Sequence, residues 1–340
     1  MSWTRGPTIG RGSSAVVSLA TAADGQIFAV KSANLSTSAS LQKEEALLSH
    51  LCSPYIVKCL GSDKTRENGK RVFNLFLEYV PGGTLSDHIR KRGGALAETA
   101  IRAHARHILL GLCYLHREGL AHCDIKGQNI LFGDGGGLKI ADFGCARRVG
   151  PGPGSFSGTP AYMAPEVARG EEQGFAADVW AFGCTVVEMG TGSGPWPEMK
   201  DPAAALYRIA FSDDSPVVPG GFSDAARDML ARCLMRDPRE RWSAAQLLQH
   251  PFFDSGEEEE IGLIRKSPTS VIIDRGIWDS FGESPGEVES NSDSPRERVR
   301  ALVGDDFPGW AQGEDWITVR EEVQNSQDLF QNSQDLGCES

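Results

Sequence analysis

The sequence predicts an α+β protein of two lobes followed by an acidic tail. Three observations carry that prediction. Strand-like runs dominate the first ~90 residues, helical apolar spacing takes over after the turn Pro81-Gly-Gly83, and periodicity fades beyond Phe253. With 340 residues, 40% of them hydrophobic and 24% charged, the chain can bury a full core. At roughly 100–200 residues per domain, two units are expected.

In the first part, Ile27-Phe-Ala-Val-Lys31 and Val72-Phe-Asn-Leu-Phe-Leu-Glu-Tyr79 are apolar, aromatic-rich runs of strand length. Between them, Leu41, Leu47, Leu48 and Leu51 recur at helical spacing. After the turn, Ile101, Ala105, Ile108, Leu112 and Leu115 mark one face of a long helix that Gly119 can terminate. Asp178 to Met189 is apolar nearly all round, the pattern of a helix buried at the centre of a large lobe. Ala225 to Leu234 and Ser243 to Gln249 read as further helices, the last stopped by Pro251.

The net charge of −12 argues against nucleic acid as the main partner. It is also unevenly spread. From Asp254 to Ser340 there are 21 acidic and 7 basic residues, whereas Met1 to Phe253 carries 25 acidic and 27 basic ones. The tail contains the run Glu257 to Glu260, Ser-Pro pairs at Ser267, Ser284 and Ser294, and a repeat of Gln324-Asn-Ser-Gln-Asp-Leu329 at Gln331 to Leu336. Such composition predicts a largely disordered segment. No stretch approaches the ~20 apolar residues of a membrane span. Met1-Ser-Trp-Thr-Arg-Gly lacks a signal-peptide core, and the eight cysteines form no C-x-x-C pair. Reduced thiols in a cytoplasmic protein are expected, with the nucleus left open and zinc disfavoured.

Four groups of residues carry chemistry. Ile9-Gly10-Arg-Gly12-Ser-Ser-Ala15-Val-Val17 is a small-residue turn whose backbone could close over a polyphosphate. A strand, not a helix, is predicted to follow it, which disfavours a dinucleotide-binding fold. Lys31 ends an apolar strand and would be useful opposite phosphate oxygens, with Glu44 on the next helix as the carboxylate to hold it. His122-Cys-Asp124-Ile-Lys126-Gly-Gln-Asn129 places a carboxylate, an ammonium and an amide within six residues. Asp142-Phe-Gly144 follows, and Asp142 with Asn129 would suit magnesium held partly by phosphates.

In this order, and with Ala164-Pro-Glu166, Asp178-Val-Trp180 and Arg241 after them, these stretches resemble the protein-kinase signature set. The resemblance runs from about Trp3 to Phe253 and implies the bilobal protein-kinase fold. It implies a kinase domain over 3–253, with an N-lobe at about 3–80, a C-lobe at about 84–253, and a regulatory tail over 254–340. The glycine-rich turn departs from the pattern in having Ala15 at its third position. Lys126 and Gly158-Thr159-Pro-Ala-Tyr-Met-Ala-Pro-Glu166 resemble serine/threonine kinases, and the stretches around Gly10, Asp124 and Thr159 resemble the MEKK-like MAP kinase kinase kinases of plants.

Carried over residue by residue, the resemblance implies use of ATP and Mg2+. Lys31 would orient the α- and β-phosphates and pair with Glu44; Asn129 and Asp142 would hold the metal. Asp124 would accept the substrate hydroxyl proton, and Lys126 would steady the transferred phosphate. Ile9, Gly10, Gly12, Val17, Ala29 and Leu131 would enclose ATP, with Leu77 behind the adenine and Glu78 and Val80 offering backbone hydrogen bonds. Glu166 and Arg241 would form a buried structural pair.

Protein substrates, MAP kinase kinases in particular, are the implied partners. In the tail, Arg265-Lys266 followed by Val271 and Ile273 resembles a MAP kinase docking segment. The activation segment offers Ser155, Ser157 and Thr159, with a structural role expected for Thr159. Most related kinases carry arginine where this chain has Cys123, so a phosphate there would lose its usual partner. Two other readings stand beside this one: a nucleotide-binding scaffold without transfer, and a kinase of a neighbouring family with other substrates.

Overall fold

The computed structural model describes residues 2–12, 15–150, 157–199, 201–254 and 317–319. The first lobe is an antiparallel sheet with one helix. Its elements are β1 (Trp3–Arg11), β2 (Val16–Ala22), β3 (Ile27–Asn34), α1 (Ala39–Leu48), β4 (Cys59–Glu67) and β5 (Lys70–Glu78). The two strands expected from sequence are β3 and β5, which pair with each other and place Lys31 opposite Leu75. The expected helix is α1; it buries Leu41, Glu44 and Leu48, while Leu47 is half-buried and Leu51 falls beyond its end.

The two faces of the sheet do different work. Pleating puts Val17, Ala29, Lys31 and Leu77 on one face, since Val17 pairs with Lys31 and Ala29 with Leu77. On the other face Trp3, Phe28 and Phe76 pack edge to face with ring centroids 5.3–6.1 Å apart. Beside them Arg5 forks onto Glu67 at 2.8 and 3.1 Å and also reaches Ser32 and Asn74. That network ties β1 to three other strands and so fixes the strand carrying the glycine-rich turn.

The second lobe contains α2 (Leu85–Lys91), α3 (Glu98–Arg117), β6 (Leu120–Ala121), β7 (Ile130–Phe132), β8 (Leu138–Ile140), β9 (Arg147–Arg148), α4 (Pro165–Ala168), α5 (Phe175–Thr191), α6 (Pro202–Phe211), α7 (Asp224–Cys233) and α8 (Ala244–Leu247). The expected face of α3 is buried at all five positions. Gly119, at φ 73°, ends that helix. The central helix α5 buries an unbroken run from Ala177 to Met189. The last helix ends at Leu247, before Pro251, which instead opens a short 3-10 turn.

The lobes are joined through the turn after β5. Gly82 donates to the Phe132 carbonyl at 3.1 Å, and Phe132 donates back to Gly83 at 3.0 Å. A Cβ on Gly82 would meet the Phe132 carbonyl oxygen at 2.4 Å, so only glycine permits this approach. Among the described residues no helix is long and apolar enough to cross a membrane.

The Ser-Pro pairs of the acidic tail, and the residues expected there to dock a MAP kinase, lie outside the described residues. One short stretch of the tail is described: Ile317–Val319 forms β10 and pairs antiparallel with Trp3–Arg5 of β1.

Arg241 and Glu166 form the expected buried pair, with nitrogen–oxygen distances of 2.8 and 3.0 Å. Arg241 also donates to the carbonyls of Met235 and Ala176. Glu166→Ala strands the guanidinium charge and is expected to cost about 3–5 kcal/mol. A denaturant midpoint equal to that of the parent chain would show that this pair does not hold the lobe together.

Candidate active site

The cleft between the lobes collects the predicted residues from both. Lys31 comes from the cleft face of β3, Glu44 from the buried side of α1, and Asp142 from the turn after β8. The Lys31 ammonium lies 2.7 and 3.0 Å from the two Glu44 oxygens and 2.9 Å from Asp142 Oδ1. Glu44 also accepts the Phe143 N–H at 3.2 Å, which ties α1 to the Asp-Phe-Gly turn. Asp142 sits in the left-handed region at φ 61° and accepts the Gly144 N–H at 3.3 Å.

Burial and pairing compete in this triad. Burial alone would discharge Lys31, but Glu44 and Asp142 hold its ammonium above the ordinary lysine range. At Glu44 burial wins over Lys31 and the carboxyl is raised. At Asp142 burial also pushes up, yet Lys31 and the Gly144 N–H hold the carboxyl below the usual carboxylate range. Asp142 is therefore the member of the triad best kept as an anion.

The second cluster lies on the loop between β6 and β7. Asp124 Oδ2 accepts from Lys126 Nζ and from Asn129 Nδ2, each at 2.9 Å, and Oδ1 accepts the Thr159 hydroxyl at 2.7 Å. Lys126 in turn donates to Thr159 Oγ1. Thr159 thus has the structural role expected of it, bridging the aspartate and the lysine.

Asn129 spends its amide nitrogen on Asp124, which leaves its oxygen as the ligand atom for a cation. That oxygen and the Asp142 carboxylate are a hard, two-residue donor set. It fits a Mg2+ ion that takes its remaining ligands from phosphate and water, as the ion commonly does.

The positions expected to face a nucleotide lie on the first sheet and around the interlobe turn, with one refinement. Val17, Ala29 and Leu77 share the cleft face, and Leu131 pairs with Thr84 just beyond the interlobe turn. The Glu78 N–H is already spent on the Lys58 carbonyl at 2.9 Å. Its backbone contribution to a ligand therefore narrows to its own carbonyl. Val80 is buried at the turn, Ile9 and Gly10 lie at the end of β1, and Gly12 follows it directly. Ser155 lies outside the described residues; Ser157 is half-buried and donates its hydroxyl to the Cys145 carbonyl at 3.4 Å.

Cys123 is buried, and burial together with Asp178 pushes its thiol well up, so it is neutral and unreactive. Two residues that organise the site were not foreseen in that role. Asp178 on α5 accepts the backbone N–H groups of His122 and Cys123, both at 2.8 Å. Glu188, ten residues along the same helix, accepts from Ser86, the Gly127 N–H and the Tyr162 hydroxyl at 2.6–3.1 Å. The available signal was their charge: a carboxylate inside an otherwise apolar helix must be partnered.

Comparison with known proteins agrees with this geometry. Residues 3–253 match the family described as protein kinase domain. The chain is 46% identical to mitogen-activated protein kinase kinase kinase 18 of Arabidopsis thaliana, over 94% of this chain and 99% of that protein. It is 47% identical to kinase kinase kinase 17 of the same plant, over 94% and 93% of the two chains, and 39% identical to kinase kinase kinase 20, over 94% and 100%. With the lysine–carboxylate triad and the Asp124 cluster assembled in one cleft, the chain belongs to the protein kinase family, as a serine/threonine kinase of the plant MEKK-like MAP kinase kinase kinase group.

Proposed function

We propose that this kinase transfers the γ-phosphoryl group of ATP to serine or threonine hydroxyls of MAP kinase kinases, in the cytoplasm and with the nucleus as a second compartment. The observation that carries the reading is the Lys31 ammonium bridging Glu44 and Asp142, because it links the N-lobe helix to the metal-facing aspartate. The relatives' names supply the substrate class. Seven free cysteines among the described residues fit a reducing compartment.

In this reading Lys31 orients the α- and β-phosphates, and Glu44 keeps it from collapsing elsewhere. Gly10 and Gly12 give the phosphates room: a Cβ at either would meet only ordinary contacts within the protein, so its own packing does not demand glycine there. Val17, Ala29 and Leu131 enclose the adenine, with Leu77 behind it and the Glu78 carbonyl and Val80 backbone along its edge. Asn129 and Asp142 hold Mg2+, which when bound offsets charge on the phosphate oxygens.

Asp124 receives the hydroxyl proton. Its carboxylate is aimed by three donors, so little reorganisation is needed at the moment of transfer. Lys126 steadies the transferred group. The tail residues Arg265, Lys266, Val271 and Ile273 are proposed to dock a MAP kinase; their basic-then-apolar order supports that reading.

Purified protein incubated with ATP, Mg2+ and a panel of MAP kinase kinases should phosphorylate at least one member. Lys31→Met should leave no activity. Activity on unrelated proteins and on no member of the panel would move the chain to a neighbouring substrate class. Incorporation unchanged in Lys31→Met would instead favour the scaffold reading.

Asp142→Ala is expected to lower turnover by at least 100-fold, since removing one charge-stabilising group costs roughly 3–4 kcal/mol of barrier. Magnesium titration of the variant checks the assignment: parent-like turnover at low Mg2+ would remove Asp142 from the metal site.

With a neutral buried thiol at 123, no guanidinium precedes Asp124 to grip an activation-segment phosphate. The double variant Ser155→Ala/Ser157→Ala should therefore keep most of the activity. Near-complete loss would mean that another cation, Arg147 or Arg148, has taken over the missing arginine's task.

A further inference from the structure

The activation segment returns to the catalytic loop at Ser157 and Gly158, and the contact is close. Gly158 has φ +120°, and a Cβ there would meet the Cys123 carbonyl oxygen at 2.4 Å. The side chain that joins the two backbones is Gln173, on the stretch between α4 and α5, which is 4% exposed. Its Oε1 accepts the Ser157 N–H at 3.1 Å, and its Nε2 donates to the Ser157 carbonyl at 2.9 Å and to the Cys123 carbonyl at 3.4 Å. The partners leave no freedom in the amide's orientation, because a flip would set oxygen against two carbonyl oxygens and nitrogen against an N–H.

We propose that Gln173 is a positioning residue that holds the activation segment on the catalytic loop without a phosphate. In this chain a neutral amide does what a guanidinium–phosphate pair would otherwise do, and it does so through main-chain atoms that no kinase or phosphatase can alter. Its effect reaches the chemistry through Thr159, two residues beyond Ser157, whose hydroxyl donates to Asp124 at 2.7 Å. Releasing Ser157 lets Thr159 drift, and Asp124 then loses one of the three donors that aim it. Gln173 itself touches no reacting atom.

The test uses the full chain after phosphatase treatment, assayed on a generic protein substrate beside untreated parent protein, which reports whether the preparation is a working kinase at all. The treated parent should keep most of its activity. Gln173→Leu fills the same space without the hydrogen bonds; it should lower kcat about tenfold or more while ATP KM stays within about twofold, as expected for losing two or three buried bonds. Hydrogen exchange should quicken in peptides covering residues 157–163 and stay unchanged along α3 and α5.

Gln173→Glu adds a pH readout. Its carboxylate faces two carbonyl oxygens and should be poor at pH 8, then regain activity towards pH 6 as protonation restores a donor. Gln173→Leu should show no such recovery. Loss of the treated parent's activity would overturn the proposal, because the phosphate would then be doing the holding. So would a Gln173→Leu kcat within twofold of the parent, or quickened exchange spread along α5, which would mark a packing role. If Gln173→Leu fails to fold, the treated parent and the Gln173→Glu pH profile decide.

Discussion

The catalytic machinery depends on one buried carboxylate. Asp178, 1% exposed on the central helix, accepts hydrogen bonds from the backbone N–H groups of His122 and Cys123 and is 3.1 Å from His116 Nε2. An unpaired carboxylate at that depth would be expelled or discharged, so the loop must come to it. Bonds to a charged acceptor contribute roughly 1.5–3 kcal/mol each, enough to hold Cys123 at the left-handed φ of 66° that cysteine otherwise avoids. From that point the geometry propagates. The His122 ring reaches the Ala141 carbonyl at 3.1 Å and stands edge-on to Phe143 at 4.9 Å, which couples the loop to the Asp-Phe-Gly turn. Asp124 follows one residue later with its direction already set.

A rigid α5 explains why the C-lobe half of the site can be built from short, irregular segments. The stretches carrying Asp124, Asn129 and Asp142 contain little regular structure of their own, and their backbone groups are satisfied by side chains from elsewhere. Glu188 does for Gly127 what Asp178 does for His122, so two carboxylates on one helix anchor both ends of the loop. The N-lobe half is held differently. Lys31 sits on a regular strand, and its partner Glu44 is on a helix that packs against the Phe143 turn. Three charges, two negative and one positive, share that space. Burial raises the Glu44 carboxyl, while Lys31 and the Gly144 N–H hold Asp142 below the usual carboxylate range, so the two carboxyls that share one ammonium are pushed apart in their readiness to ionise.

The sequence made some elements plain and hid others for physical reasons. Strands β3 and β5 and helices α3 and α5 were legible because burial on one face or all round forces a clear apolar pattern. Strand β4 was not, since it lies at an edge of the sheet and alternates half-buried with exposed polar residues. Its turn was signalled all the same: Asn68-Gly69, both at positive φ, is a strong hairpin dipeptide. Helix α2 was announced only by its capping box, Thr84 with Asp87. Helix α6 was obscured because Tyr207 and Phe211 face solvent at 71% and 68% exposure; Asp201 and Pro202 marked its start.

The site divides along the same line. Asp124, Lys126, Asn129 and Asp142 could be read because their chemistry requires particular side chains at short spacing, and such motifs survive any rearrangement of the scaffold. Glu44 needed the assumption that α1 faces the cleft, which the leucine spacing supplied. Gln173 could not be read, because it acts on backbone atoms 50 residues and 16 residues away, and backbone partners leave no trace in the identity of the residues that offer them. Gly158 left a trace only because the approach to Cys123 excludes a Cβ. Side chains that meet side chains leave paired signals in a sequence, whereas a side chain that grips main chain leaves one, and that one looks like any other polar residue until the fold closes around it.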